Sequence, residues 1–357
     1  VSDFVFSLNK LNLAMNKRID YIDLAKGFCI LLVVIIHTDG PLQRLSLFRM
    51  VGCFILPLFF FLSGMFFNKY TSFADFTVRK VNKLLVPFFF FMLVSYLIYC
   101  AGWLVKGRYD LIYSLPRDIV LALGIDHVYL NLSLWFFPAL FETSLTFYVL
   151  IVISEKLAKS ETIRNIVLGV MCFVIGIAGY ELGINKINLP LWIDSSMSAL
   201  PFFYSGYFSR KNANFLAPNK LDKYIPVFLL AFIAINYFIA DNKMMVTNAD
   251  YGNYFSFYVS GILGTLSVLL LSKSIKLTKW LKDMSAISFY GRYCLIILGL
   301  NWVVIYYLRK GLSFISNDWL LSMITFVLVL LLSIPIIKFL NRFFPQFVGE
   351  RDFIKLN

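Results

Sequence analysis

Histidine is nearly missing from this chain: His37 and His127 are the only two in 357 residues. That count excludes a metal site built from several histidines. Cysteine does not make up the shortfall, because Cys29, Cys53, Cys100, Cys172 and Cys294 lie scattered within or beside apolar runs with no CxxC spacing. They read as packing residues, without a disulfide or zinc framework. Charged residues are scarce as well, at 15% against 60% hydrophobic, far below the balance of a soluble domain. No polar stretch is long enough for a separate catalytic module; the longest runs from about 106 to 133. A cleavable leader is not expected either, since the first apolar run leads into HTDGP and lacks a small-residue cleavage site. Any chemistry must sit among hydrophobic segments.

Those segments are abundant. At about 20 apolar residues per crossing, the sequence divides into ten: 22–38, 47–67, 84–105, 134–153, 163–179, 191–208, 224–240, 254–272, 286–307 and 319–337. The fold class expected is an all-α integral membrane protein, a bundle of about ten transmembrane helices. Lys and Arg stay on the cytoplasmic side during insertion. Counting from an inner N-terminus, the basic groups around Lys17, Lys80, Lys159, Lys220, Lys279 and Arg342 fall on alternate connections, which places both termini in the cytoplasm. The net charge of +13 then follows from topology and contact with anionic lipid, with no call for nucleic acid. Residues 1–14 precede Met15 and are expected to be a start-site extension; 15–345 form a single ten-helix domain and 346–357 a cytoplasmic tail. The 106–133 connection mixes Tyr109, Asp110, Tyr113, Asp118, Asp126 and Tyr129, which suits either sugar recognition or an interfacial aromatic belt.

Two passages echo each other. LPLFFFLSGMFFNK from Leu56 and LPFFYSGYFSRK from Leu200 share a leading Leu-Pro, an aromatic run, a Ser-Gly pair and a basic end. Ser63-Gly64 and Ser205-Gly206 allow close approach of a neighbouring backbone, or of a ligand at a cytoplasmic mouth.

Lys26 and His37 stand out on the first segment. Eleven residues at about 100° each bring them to within roughly 20° of one face, about 16 Å apart along the axis. Ionisable groups in lipid turn to the bundle interior and mark function, although a lysine near a helix end also snorkels and a histidine can sit at the interface. Asp20 and Asp23 precede them; capping, or pairing of Asp23 with Lys26, accounts for these two.

RIDYIDLAKGFCILLVVIIHT, PLFFFLSGMFF, RKVNKLLVPFFFF, LWFFPALF and ALPFFYSGYFSRK together resemble the membrane-bound acyltransferase family 3, in particular its branch similar to fucose 4-O-acetylases. The resemblance runs in order from about residue 16 to 300. It implies a ten-helix enzyme of the bacterial cytoplasmic (inner) membrane. Such an enzyme moves an acetyl group from cytoplasmic acetyl-CoA to a hydroxyl of a surface polysaccharide or its lipid-linked precursor, without a metal. The family's basic-x10-His signature falls on Lys26 and His37, with Lys where many members have Arg; a lysine meets phosphate as a point charge and lacks the bidentate fork. Ile55 and Asn301 stand where relatives often have further histidines, which concentrates the chemistry on His37.

Coenzyme A is a polyanion with a long arm ending in a thioester. Lys26 and Arg292 are expected to hold its phosphates, with Ser63, Gly64, Ser205 and Gly206 as further donor-binding candidates. His37 is expected to act as general base on the acceptor hydroxyl, or to carry the acyl group briefly. Asp39 and Glu142 are candidates to orient the imidazole, and Asn301 to donate to the oxyanion. A multi-pass transporter or glycan flippase, or an inactive relative within a polysaccharide assembly complex, remain the competing readings.

Overall fold

The computed structural model describes residues 20–38, 40–41, 46–112, 131–211, 231, 252–277 and 284–355. All regular structure among them is helical. In chain order the α-helices are α1 (Asp20–His37), α2 (Ser46–Met65), α3 (Phe73–Lys80), α4 (Val86–Val105), α5 (Phe136–Leu157), α6 (Glu161–Ile184), α7 (Ile193–Lys211), α8 (Tyr254–Leu277), α9 (Ser285–Arg292), α10 (Cys294–Gly311) and α11 (Asp318–Phe343).

Among the described residues, six stretches are long and apolar enough to cross a membrane: Phe73–Val105, Leu132–Leu157, Glu161–Ile184, Tyr254–Ile275, Cys294–Gly311 and Asp318–Phe343, with Val51–Met65 a shorter apolar helix. Their outer faces are apolar. Phe89, Leu93 and Leu97 on α4, Ile166, Val170 and Val174 on α6, and Met323, Val327 and Leu331 on α11 recur at helical spacing and are all exposed. Stripes of that size are stable in lipid and would associate in water. The chain is a multi-pass membrane protein. Of residues 224–240, expected as a crossing, only 231 is among the described residues, and 1–14 lie outside them. The crossing expected at 286–307 is two helices, α9 and α10, broken at Tyr293 (φ −107°, ψ 26°).

Helix α1 is the hub, packing against α2, α8, α9, α10 and α11. Its closest neighbour is α9, because glycines meet there. A Cβ on Gly291 would overlap the carbonyl oxygen of Asp23, and one on Gly27 would overlap that of Ile287. Helices α2 and α7 cross in the same manner: a Cβ on Gly64 would strike Phe203 O and one on Gly206 would strike Phe61 O. Small residues permit such backbone contact, the usual way helices associate where no hydrophobic drive exists between them.

Between α3 and α4 the chain forms a π-turn, Val81–Leu85. Pro87 follows at the start of α4 and has no N–H to give, and the widened turn relieves its clash with the preceding carbonyls. The C-terminal segment, expected as a tail, is docked on this turn. Asn82 Oδ1 accepts from the backbone N–H of Phe353 (3.1 Å) and Ile354 (2.8 Å), while its Nδ2 donates to Ile354 O at 2.8 Å. Val348 is buried and Phe347 packs on Phe90.

Candidate active site

His37 is the last residue of α1, and two other elements meet it. Its Nδ1 lies 2.9 Å from Oδ1 of Asn301 on α10. Ser133, in the 3-10 turn Leu132–Trp135 that opens α5, donates from Oγ to the same Oδ1 at 3.0 Å and stands 3.4 Å from Nδ1. In this orientation of the amide Oδ1 only accepts, which puts the ring proton on Nδ1 and the lone pair on Nε2. Trp302, next along α10, presents its ring edge-on to the imidazole at 5.4 Å between centroids.

A second tier holds the first. Asn131 is fully buried; its Oδ1 accepts from Ser133 N–H at 3.2 Å, a local turn that fixes where Ser133 points. Its Nδ2 donates to Ser95 Oγ on α4 (3.1 Å) and to Gly299 O on α10 (2.8 Å). Arg309 donates from Nη1 to Thr38 O at 2.6 Å, placing a cation on the C-terminal carbonyls of α1, where the helix dipole favours it. Ser95, Asn131, Ser133 and Asn301 are each buried to within 2% of fully enclosed. Losing one partner would strand a polar group at a cost of about 1–3 kcal/mol.

A family model, the acyltransferase domain of acyltransferase family 3, matches residues 19–338. The chain belongs to that family. No curated protein and no solved structure matches it. The His37 cluster thus lies inside an acyltransferase domain.

The other residues singled out in the acyltransferase sequence fall into three groups. Lys26 and Arg292 come to one end of α1, since Gly291 seats on Asp23 and Gly27 on either side of Lys26. Lys26 is half-buried and Arg292 is exposed, its guanidinium 5.3 Å from the Tyr293 ring centre. They stand about 16 Å down the helix from His37. Ser63-Gly64 and Ser205-Gly206 lie where α2 and α7 cross: each glycine's free space is filled by the partner helix's backbone, and Ser205 Oγ donates to Pro201 O at 2.8 Å. Close packing accounts for both glycines. Glu142 is half-buried on α5 and makes no hydrogen bond to His37. Asp39 lies outside the described residues.

Asn301, expected as an oxyanion donor, stands with its amide at the Nδ1 edge of the ring, where its hydrogen bond holds the imidazole. Its Nδ2 is buried and unpaired among the described residues, and Asn301 lines a cavity of about 20 Å³ between α10 and α11, room for one water molecule.

Sequence reasoning passed over Asn131, Ser133, Ser95 and Trp302. An Asn-x-Ser pair directly ahead of LWFFPALF is a turn signal that was there to be read. Lys273 is buried within α8 at 4% exposure. No cluster of His, Cys, Asp or Glu among the described residues has the makings of a metal site.

Proposed function

We propose that this acyltransferase moves an acetyl group from acetyl-CoA to a hydroxyl of a cell-surface polysaccharide or its lipid-linked precursor, with His37 as general base. The observation that carries this reading is the fixed tautomer: Asn301 holds Nδ1–H and leaves the Nε2 lone pair of His37 unused. The acceptor hydroxyl gives its proton to Nε2 as its oxygen attacks the thioester carbonyl. The tetrahedral intermediate then collapses with cleavage of the carbon–sulfur bond, and the imidazolium returns the proton to the departing thiolate. Asn301 has no charge with which to stabilise the imidazolium, so its contribution is orientation, backed by Ser133 and Asn131. Lys26 and Arg292 hold the phosphates of coenzyme A at the other end of α1, and the pantetheine arm spans the distance between. That end faces the cytoplasm, where acetyl-CoA is made.

Mass spectrometry of surface polysaccharide tests the reading, using cells with the intact gene, a deletion, and a His37→Gln allele. The repeat unit is expected to lose one acetyl group in both altered strains. An unchanged acetyl content in either would overturn the assignment.

A further inference from the structure

One cluster beyond the imidazole is not used by the transfer reaction. Helices α4 and α10 run side by side away from His37 and meet in three successive rungs. The first is the buried bridge from Ser95 through Asn131 to Gly299 O. The second is aromatic: Tyr99 packs on Tyr306 at 5.4 Å and on Tyr307 at 5.9 Å, with Trp103 stacked beyond at 5.8 Å. The third is a pair of lysines brought to one end of the two helices by those ring contacts, Lys106 just past the end of α4 and Lys310 in the last turn of α10. Lys310 also lies over the Tyr306 ring at 5.4 Å.

Along α10 itself, Trp302, Tyr306 and Lys310 recur every fourth residue, so the ladder begins on the ring that touches His37 and ends on the lysine pair. Tyr306 is 41% exposed, leaving ring surface for a ligand. Two like charges at one end of the ladder are unfavourable. Neither lysine has a carboxylate partner among the described residues. The nearby carboxylate of Asp110 is already bound, by Arg108 at 2.9 and 3.0 Å. By contrast Arg309, the neighbour of Lys310, is engaged with Thr38 O. An anion seated between Lys106 and Lys310 would relieve their repulsion.

We propose that the Trp302–Tyr306–Lys310 ladder, with Lys106, is the acceptor subsite, and that it takes an acidic glycan whose charged group lies beyond the sugar being acetylated. This rests on the transferase reading above and names its acceptor class. Aromatic faces bind the apolar faces of sugar rings, and the lysine pair takes a carboxylate or phosphate. Tyr306 lies about 6 Å along the axis from Trp302, and Lys310 folds back over it, so the charge sits roughly one to two sugar units from the reactive hydroxyl.

Binding in nanodiscs of neutral lipid, without acetyl-CoA, tests this. The probes are a glucuronate-containing tetrasaccharide, its carboxyl-reduced counterpart, and a phosphodiester-linked oligosaccharide with its neutral analogue. The intact protein is expected to bind at least one charged probe about 10-fold tighter than its neutral twin, a preference that fades in high salt. In Lys106→Gln/Lys310→Gln the preference should shrink to about twofold or less, and Tyr306→Ala should weaken charged and neutral probes alike. Equal affinity for charged and neutral probes in the intact protein, or a preference that survives the double substitution, would overturn the proposal and leave an interfacial aromatic belt. Thiol release from acetyl-CoA, measured separately, reports on the transferase reading: its absence overturns that reading, whereas a failed charge preference leaves it standing.

Discussion

The two ends of α1 are built in different ways. At the Lys26 end the helix is held by backbone: Gly27 and Gly291 bring α1 and α9 into direct contact, and the charges stand at the margin, Lys26 half-buried and Arg292 exposed. At the His37 end it is held by neutral side chains, in a buried chain of hydrogen bonds from Ser95 through Asn131, Ser133 and Asn301 to Nδ1. The contrast matches what each end would have to do. A polyanion is bound by screened, adaptable cations that tolerate small movements, whereas a proton-transfer base has to be kept in one tautomer and one orientation.

Substitutions at the two ends should therefore fail differently. The largest effect is expected for His37→Gln, which removes the proposed base: kcat for the proposed acetyl transfer in detergent should fall about 10³-fold or more, with little change in KM for acetyl-CoA. Asn301→Leu keeps the base but frees the ring, and kcat should drop on the order of 10²-fold, again with KM for the donor nearly constant. If Asn301→Leu instead raised that KM and spared kcat, the positioning role would be refuted. Gly291→Val forces α9 away from α1 and should destabilise the fold by about 1–3 kcal/mol, read as a lower unfolding temperature in detergent. Lys26→Gln should raise KM for acetyl-CoA about 10-fold while kcat stays within about twofold, the reverse of the pattern at His37. Smallest of all is Ser205→Ala: its hydroxyl is satisfied within its own helix, so turnover should stay within about twofold of the parent.

Much of this was legible locally. The placement of α1, α2, α4, α5, α6, α7, α8 and α11 follows from apolar runs of helical length, and the shared face of Lys26 and His37 follows from their spacing alone. The break at Tyr293 was missed because the run from 286 to 307 contains no Pro, and Gly291-Arg292, directly ahead of the bend, interrupts it too briefly to end a segment. The role of the Ser-Gly echo was open for a related reason: a glycine in a sequence advertises close approach without saying what approaches. Asn301 was singled out, but as an oxyanion donor, since its distance from the imidazole edge depends on how α10 lies against α1. Asn131 and Ser133 were passed over because short polar residues ahead of a helix are read first as caps, and here one does serve partly as a cap.

What the sequence determined by itself is the class of molecule: apolar segments of membrane length, basic residues gathered between alternate ones, and one base and one cation on a common helical face. Tertiary structure alone decided which groups surround that base. His37 meets residues 96 and 264 positions away, and helical periodicity carries no information across such separations. Contacts of that range exist only once α4, the turn before α5, and α10 have packed around α1. The same packing gave the two pairs of glycines to helix contacts and left the Nε2 side of the imidazole without a hydrogen-bond partner among the described residues.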